Sequence, residues 1–133
     1  MAKNYRIIHL DDNPLFIDLM EVPISEIDGI NIKYKGVLTD KEAYDLLGSG
    51  LPDLFISDLM LKDDHDAESG IKVIEKLHNQ YPSLKIMVLS ARSDASLRDR
   101  LRECVVAYQI KEFDPSLLAD DIKRILTGGV AHE

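Results

Sequence analysis

The sequence predicts an α/β domain, a parallel β-sheet carrying helices on both faces. Three observations support this reading. Short β-rich runs alternate with helical patterns along almost the whole chain in the order βαβαβαβαβα, which implies parallel strands joined by helical crossovers. Most of the short runs set Val, Ile, Leu or Phe at consecutive positions, the mark of strands buried on both faces. The 133 residues are 45% apolar and 30% charged, which suits one globular domain and not a disordered chain.

The elements follow in order. Tyr5–Leu10 (YRIIHL) is the first strand. Asn13-Pro14 then opens a helix, with Asn as cap and Pro in the first helical position, and Pro23 limits it, so a short or broken helix is expected. Ile30–Tyr34 (INIKY) alternates apolar and polar residues and belongs at a sheet edge. Thr39-x-x-Glu42 reads as a capping box before Ala43, Leu46 and Leu47. Leu54–Ser57 (LFIS) is the third strand, and Val73, Ile74 and Leu77 form one face of the next helix. Leu84–Leu89 (LKIMVL) is the fourth strand, followed by a helix face of Leu97, Leu101 and Cys104 or Val105. Val105–Ile110 (VVAYQI) is the fifth strand. The last helix has Asp114 as N-cap, Pro115 in the first helical position, Leu117, Leu118, Ile122, Ile125 and Leu126 facing inward, and Gly128 as its stop. One domain over 1–127 and a C-terminal tail over 128–133 are expected.

Composition narrows the function. A single cysteine excludes an intrachain disulfide. No apolar run approaches the roughly 20 residues needed to span a bilayer, and MAKNYRIIHLDD lacks the apolar stretch of a signal peptide, so a cytoplasmic protein without membrane contact is expected. Sixteen Lys and Arg against 24 Asp and Glu give a net charge of −8. Such a domain is not expected to hold nucleic acid by itself, because that affinity comes mostly from cations on phosphates.

In doubly wound sheets, ligands bind outside the carboxyl ends of the strands. Here the first strand ends in Asp11-Asp12, the third in Asp58, the fourth in Ser90 and the fifth in Lys111. A hard cation such as Mg²⁺ takes oxygen ligands, which Asp11, Asp12 and Asp58 would supply. Asp58 could also act as a nucleophile and become an aspartyl phosphate. The transferred group would then need its charge neutralised, by metal on one side and Lys111 on the other, with Ser90 donating a hydrogen bond. The plainer alternative, that Asp11-Asp12 merely cap the first helix, is weakened because Asn13 already offers a cap. Two carboxylates ~5 Å apart repel by roughly 3 kcal/mol at an effective dielectric of 20.

These residues carry a resemblance. IIHLDDNP, PDLFISDLML, KIMVLSA and AYQIK, in this order and each ending a predicted strand, resemble the strand ends of the bacterial response-regulator receiver family over about residues 5–127. The resemblance implies a five-stranded doubly wound sheet in flavodoxin-like order 2-1-3-4-5 with five helices. It implies a Mg²⁺-dependent phosphoacceptor at Asp58, served by a histidine kinase or phosphotransfer protein. It further implies metal binding by Asp11, Asp12, Asp58 and the backbone carbonyl of Met60, and a phosphate-pairing role for Lys111. Ser90 and Tyr108 become switch residues acting on an output face, through which a downstream protein or a second copy would bind by the fourth and fifth helices. Met60 and Arg92 flank the phosphoryl position. Met60 cannot position a water and Arg92 could pair with the phosphate, so slow self-dephosphorylation is expected.

The chain departs from the family pattern in three places. Glu112 follows Lys111 where a cis proline is usual, and a cis bond before a non-proline costs ~2.5–4 kcal/mol. The loop after Asp58 is longer than usual and contains Lys62-Asp63-Asp64-His65-Asp66. Glu103-Cys104-Val105 replaces small residues before the fifth strand, with Cys104 read as a buried small hydrophobe. His9 is expected to be a packed core residue. Arg98, Arg100 and Arg102 share no helical face and read first as a solvated helix, or else as part of the output face. The alternatives are a receiver cut from a longer DNA-binding regulator and a pseudo-receiver that never carries phosphate. An aspartate-nucleophile phosphatase is disfavoured, because Met60 stands where its second acid would be.

Overall fold

The computed structural model describes residues 3–59, 68–91, 95–111 and 115–128, apart from the side chains of 68, 69 and 115. The elements run β1 (Asn4–Leu10), α1 (Pro14–Ser25), β2 (Asn31–Val37), α2 (Asp40–Ser49), β3 (Leu54–Ser57), α3 (Glu68–Gln80), β4 (Ile86–Ser90), α4 (Ala95–Leu101), β5 (Ala107–Ile110) and α5 (Pro115–Thr127). All strand pairs are parallel, in the order β2-β1-β3-β4-β5. This is the doubly wound topology expected from the strand-end motifs. No helix among the described residues is long and apolar enough to cross a membrane.

Successive strand residues point to opposite faces, so the consecutive apolar residues build two cores. Ile8, Leu10, Phe55, Ile86 and Val88 pack with Ala43 and Leu47 of α2, Val73, Ile74 and Leu77 of α3, and Leu101 of α4. Ile7, Leu54, Ile56, Met87 and Leu89 pack on the other face with Met20 and Ile24 of α1 and Leu118, Ile122 and Leu126 of α5.

Several boundaries differ from the sequence reading, each for a local reason. α1 continues through Pro23 to Ser25. Pro23 forfeits one bond to the Leu19 carbonyl, but the ladder resumes at the Glu26 amide on the Val22 carbonyl, and buried Ile24 anchors the last turn to the sheet. β2 extends to Val37 and not Tyr34. Its next inward position is Gly36, where a Cβ would lie 2.1 Å from Ile17 Cγ2, so the alternation continues at a position that has no side chain to reveal it. α4 ends at Leu101, and Cys104 and Val105 lie beyond it, their amides donating to the Leu101 carbonyl at 2.8 and 3.2 Å. β4 begins at Ile86 and includes Ser90, and β5 begins only at Ala107. Leu117 is 62% exposed, not inward, because the buried row on α5 runs through Leu118, Ile122 and Leu126, about 100° away around the helix.

The caps are as read where they are described. Asn13 Oδ1 accepts from the amides of Leu15 and Phe16 at 3.0 and 3.4 Å, and Thr39 Oγ1 accepts from the amide of Glu42 at 3.2 Å. Gly128 takes φ 71°, a left-handed conformation that suits a helix stop. Asp114 lies outside the described residues. Gly70 in α3 has a separate role. A Cβ there would fall 2.2 Å from the Leu59 carbonyl oxygen, so only glycine lets α3 lie against the chain leaving β3.

Candidate functional site

Sheet register assembles the site. Leu10 and Ser57 are paired across β1 and β3, so the next residues, Asp11 and Asp58, emerge level with each other. The Asp58 amide donates to the Leu10 carbonyl at 3.0 Å and the Asp11 amide to the Val37 carbonyl at 3.1 Å, so both backbones are tied to neighbouring strands. Ser90 pairs with Ile110, and the Lys111 amide donates to the Ser90 carbonyl at 2.7 Å. The strand-end residues expected to converge therefore do so on one edge of the sheet.

Asp11 is fully buried, Asp58 is 4% exposed and Asp12 is half-buried. One carboxylate oxygen from each lies within 4.8 Å of the others. Lys111 reaches across from β5, its Nζ 2.6 Å from Asp11 Oδ2 and 3.0 Å from Asp58 Oδ2. Burial pushes the Asp11 carboxyl above the usual carboxylate range, against the opposing pull of Lys111 and of the Asn13 amide, which donates to Asp11 Oδ1 at 2.9 Å. Burial works against the Lys111 ammonium, but its bond to Asp11 and the charge of Asp58 outweigh it and hold its pKa above the ordinary lysine value. Among the described residues, the cluster thus sets the Lys111 ammonium, paired with Asp11 and Asp58, against three carboxylates. This is a hard, oxygen-rich, net negative donor set, and it fits a divalent cation such as Mg²⁺.

Ser90 is buried at the end of β4, beside Lys111. Tyr108 lies on β5, half-buried, with the Arg98 guanidinium 4.8 Å from its ring centroid. Arg100 pairs with Glu75 at 3.2 Å and Arg102 with Asp99 at 2.6 Å, so the three arginines point to three different partners. Met60, Arg92, Glu112 and the 62–66 segment lie outside the described residues. Cys104 is half-buried, and burial together with Glu75 and Glu103 pushes its thiol up, away from reactivity.

Sequence reasoning missed the wall beside the cluster. The Phe16 ring centroid lies 4.3 Å from Lys111 Nζ. His9, fully buried as expected of a core residue, packs edge-on to Phe16 and shares a 2.6 Å hydrogen bond between Nδ1 and the Tyr34 hydroxyl. Burial, with a smaller contribution from Lys111, lowers the His9 pKa from 6.5 to about 3. A usable signal was present, because long side chains in a helix's first turn lean back toward its N-terminus, and here that end abuts Asp11-Asp12.

Comparison with known proteins places these features in context. A family model described as the response regulator receiver domain matches residues 7–123. The sensor histidine kinase TmoS of Ectopseudomonas mendocina is 33% identical over 93 residues, covering 68% of this chain and only 9% of the kinase. The signal receiver domain of the putative response regulator NarL from Mycobacterium tuberculosis superposes with a TM-score of 0.77 at 16% identity, covering 96% of this chain and 99% of that one. The response regulator TrrA from Thermotoga maritima, solved in complex with Mg²⁺-BeF, gives 0.77 at 23% identity over 91% and 98% of the two chains. RcsB from Salmonella typhimurium gives 0.78 at 20% identity over 98% of this chain and 63% of that one. At these identities the structural likenesses establish the fold.

Proposed function

This chain belongs to the response regulator receiver family, and from that membership we propose that it accepts a phosphoryl group on Asp58 in a Mg²⁺-dependent reaction and signals through a changed surface. The observation that carries the proposal is the Lys111 ammonium, 3.0 Å from Asp58 Oδ2 inside a cluster of three carboxylates.

A carboxylate oxygen of Asp58 attacks the phosphorus of a phosphohistidine on a histidine kinase or phosphotransfer protein. The new P–O bond forms as the P–N bond breaks, and the imidazole leaves with the bonding pair and takes up a proton. Lys111 balances charge on the phosphoryl oxygens, and Ser90 donates a hydrogen bond to one of them. Asp11, Asp12 and Asp58, with the Met60 carbonyl that the family resemblance implies, would hold Mg²⁺. When bound, the cation offsets negative charge between donor and acceptor.

The partner's approach has a physical basis on α1. Leu15, Leu19 and Val22 are exposed at spacings of one and two turns, an apolar stripe that starts beside Asp12. After transfer, Ser90 and Tyr108 shift the packing of α4 and α5, which then present a surface to a downstream protein or a second copy. Met60 and Arg92 set the lifetime of the phosphate, which is slow to hydrolyse. The domain acts by protein contact in the cytoplasm, with no direct hold on nucleic acid.

Intact mass after incubation with acetyl phosphate and Mg²⁺ tests the proposal. One added phosphoryl group is expected in wild type and none in Asp58→Asn or in the absence of Mg²⁺. An unchanged wild-type mass, together with a melting temperature indifferent to Mg²⁺, would sink the reading and leave a pseudo-receiver.

A further inference from the structure

We infer that Phe16 is a positioning residue for Lys111, its ring holding the ammonium over the carboxylates; this deepens the phosphoacceptor reading and rests on it. The contacts form a closed circuit. The Asn13 amide donates to Asp11 Oδ1 at 2.9 Å, and Asn13 in turn receives the Phe16 amide on its carbonyl at 3.1 Å and on Oδ1 at 3.4 Å. The Phe16 ring sits 4.3 Å from Lys111 Nζ, and Nζ returns to Asp11 Oδ2 at 2.6 Å. The ring is itself held. His9 meets it edge-on at 5.9 Å and 85°, and it lines a small hollow with Met20, Leu89, Gln109 and Leu118.

Lysine needs such a guide, because its charge rides on a flexible four-carbon stem. Asp58 alone cannot supply one, since it is the group that reacts and its carboxylate changes character when phosphorylated. An aromatic face attracts the cation without carrying formal charge, so it keeps its hold while the ammonium shifts from carboxylate to phosphoryl oxygens. The attraction is stronger where water is excluded, and the Lys111 side chain is only 16% exposed. A leucine at position 16 would preserve the apolar packing and remove the attraction.

The test compares wild type, Phe16→Leu and Phe16→Tyr by two readouts. The first is the NMR signal of the Lys111 ammonium without any phosphodonor. It is expected to be ring-shifted in wild type and Phe16→Tyr and unshifted in Phe16→Leu. The second is the initial rate of phosphoryl uptake from acetyl phosphate with Mg²⁺. It is expected to fall about 3- to 30-fold in Phe16→Leu and to return to within about two-fold of wild type in Phe16→Tyr, with Mg²⁺ affinity unchanged throughout. Wild-type uptake in Phe16→Leu, an equal loss in Phe16→Tyr, or an unshifted ammonium in wild type would each overturn the inference. A ring-shifted ammonium in a wild type that takes up no phosphoryl group would overturn the phosphoacceptor reading and leave the positioning of Lys111 standing.

Discussion

Lys111 sets one positive charge against two buried carboxylates, and its removal should show this directly. Lys111→Met takes the ammonium away from Asp11 and Asp58, a loss of about 3–5 kcal/mol by analogy with other broken buried pairs. The melting temperature should fall in chelator, and Mg²⁺ should restore more stability to the variant than it adds to wild type; equal gains would refute the shared role. His9 predicts a pH effect. Its folded pKa of about 3 lies below the unfolded 6.5, so the unfolded chain takes up the proton first as pH falls. The contribution of His9 is therefore complete above pH 6.5 and is lost progressively between 6.5 and 3. Urea unfolding across that window should show wild type losing up to ~1.4 kcal/mol per pH unit more than His9→Val, and parallel curves would contradict the buried neutral imidazole. Asp58, Ser90 and Lys111 were legible in the sequence because each ends an apolar run, and strand ends are where such sheets place their chemistry. Phe16 was legible only as a neighbour of Asp11-Asp12; its contact with Lys111 was not, because that contact joins the first turn of α1 to the far edge strand, and no spacing along the chain encodes that approach.

At the scale of the element, what the sequence hides is mostly glycine and proline. β2 reads two strand positions short of Gly36 because the pattern is carried by inward side chains, and Gly36 has none. α1 reads as broken at Pro23 because propensity knows nothing of Ile24, whose burial holds the last turn. The strand order was legible only through the family resemblance, since periodicity identifies strands without saying which are neighbours. Gly70 offers the sharpest test here. Gly70→Ala drives a methyl into the Leu59 backbone, which must move or push α3 away. A loss of about 1–3 kcal/mol is expected, with weakened Mg²⁺ binding, because Leu59 directly follows Asp58. A variant as stable as wild type would mean that α3 lies farther from the β3 exit than described. Asn13→Ala should cost about 1 kcal/mol through the lost cap, read by urea unfolding, and should leave phosphoryl uptake nearly unchanged, since the Asn13 amide still donates to Asp11 and its carbonyl still accepts from Phe16.

Across the whole molecule, the net charge of −8 and the gathered carboxylates act in the same direction, so binding a divalent cation to the folded state alone should stabilise it. The melting temperature should climb with the logarithm of Mg²⁺ concentration above the dissociation constant, and a flat response would argue against a metal site. The parallel topology has a further consequence for how the chain is made. β1 lies between β2 and β3, and β5 closes the far edge last. On a ribosome, Asp11, Asp12 and Asp58 all emerge before Lys111, so a nascent sheet can bring three anions together before their cation exists. A divalent cation bound by the three carboxylates would stand in during that interval, and would then serve the newborn chain as an assembly factor. A chain truncated before β5 should therefore gain protease resistance on adding Mg²⁺, and that gain should vanish in Asp11→Asn.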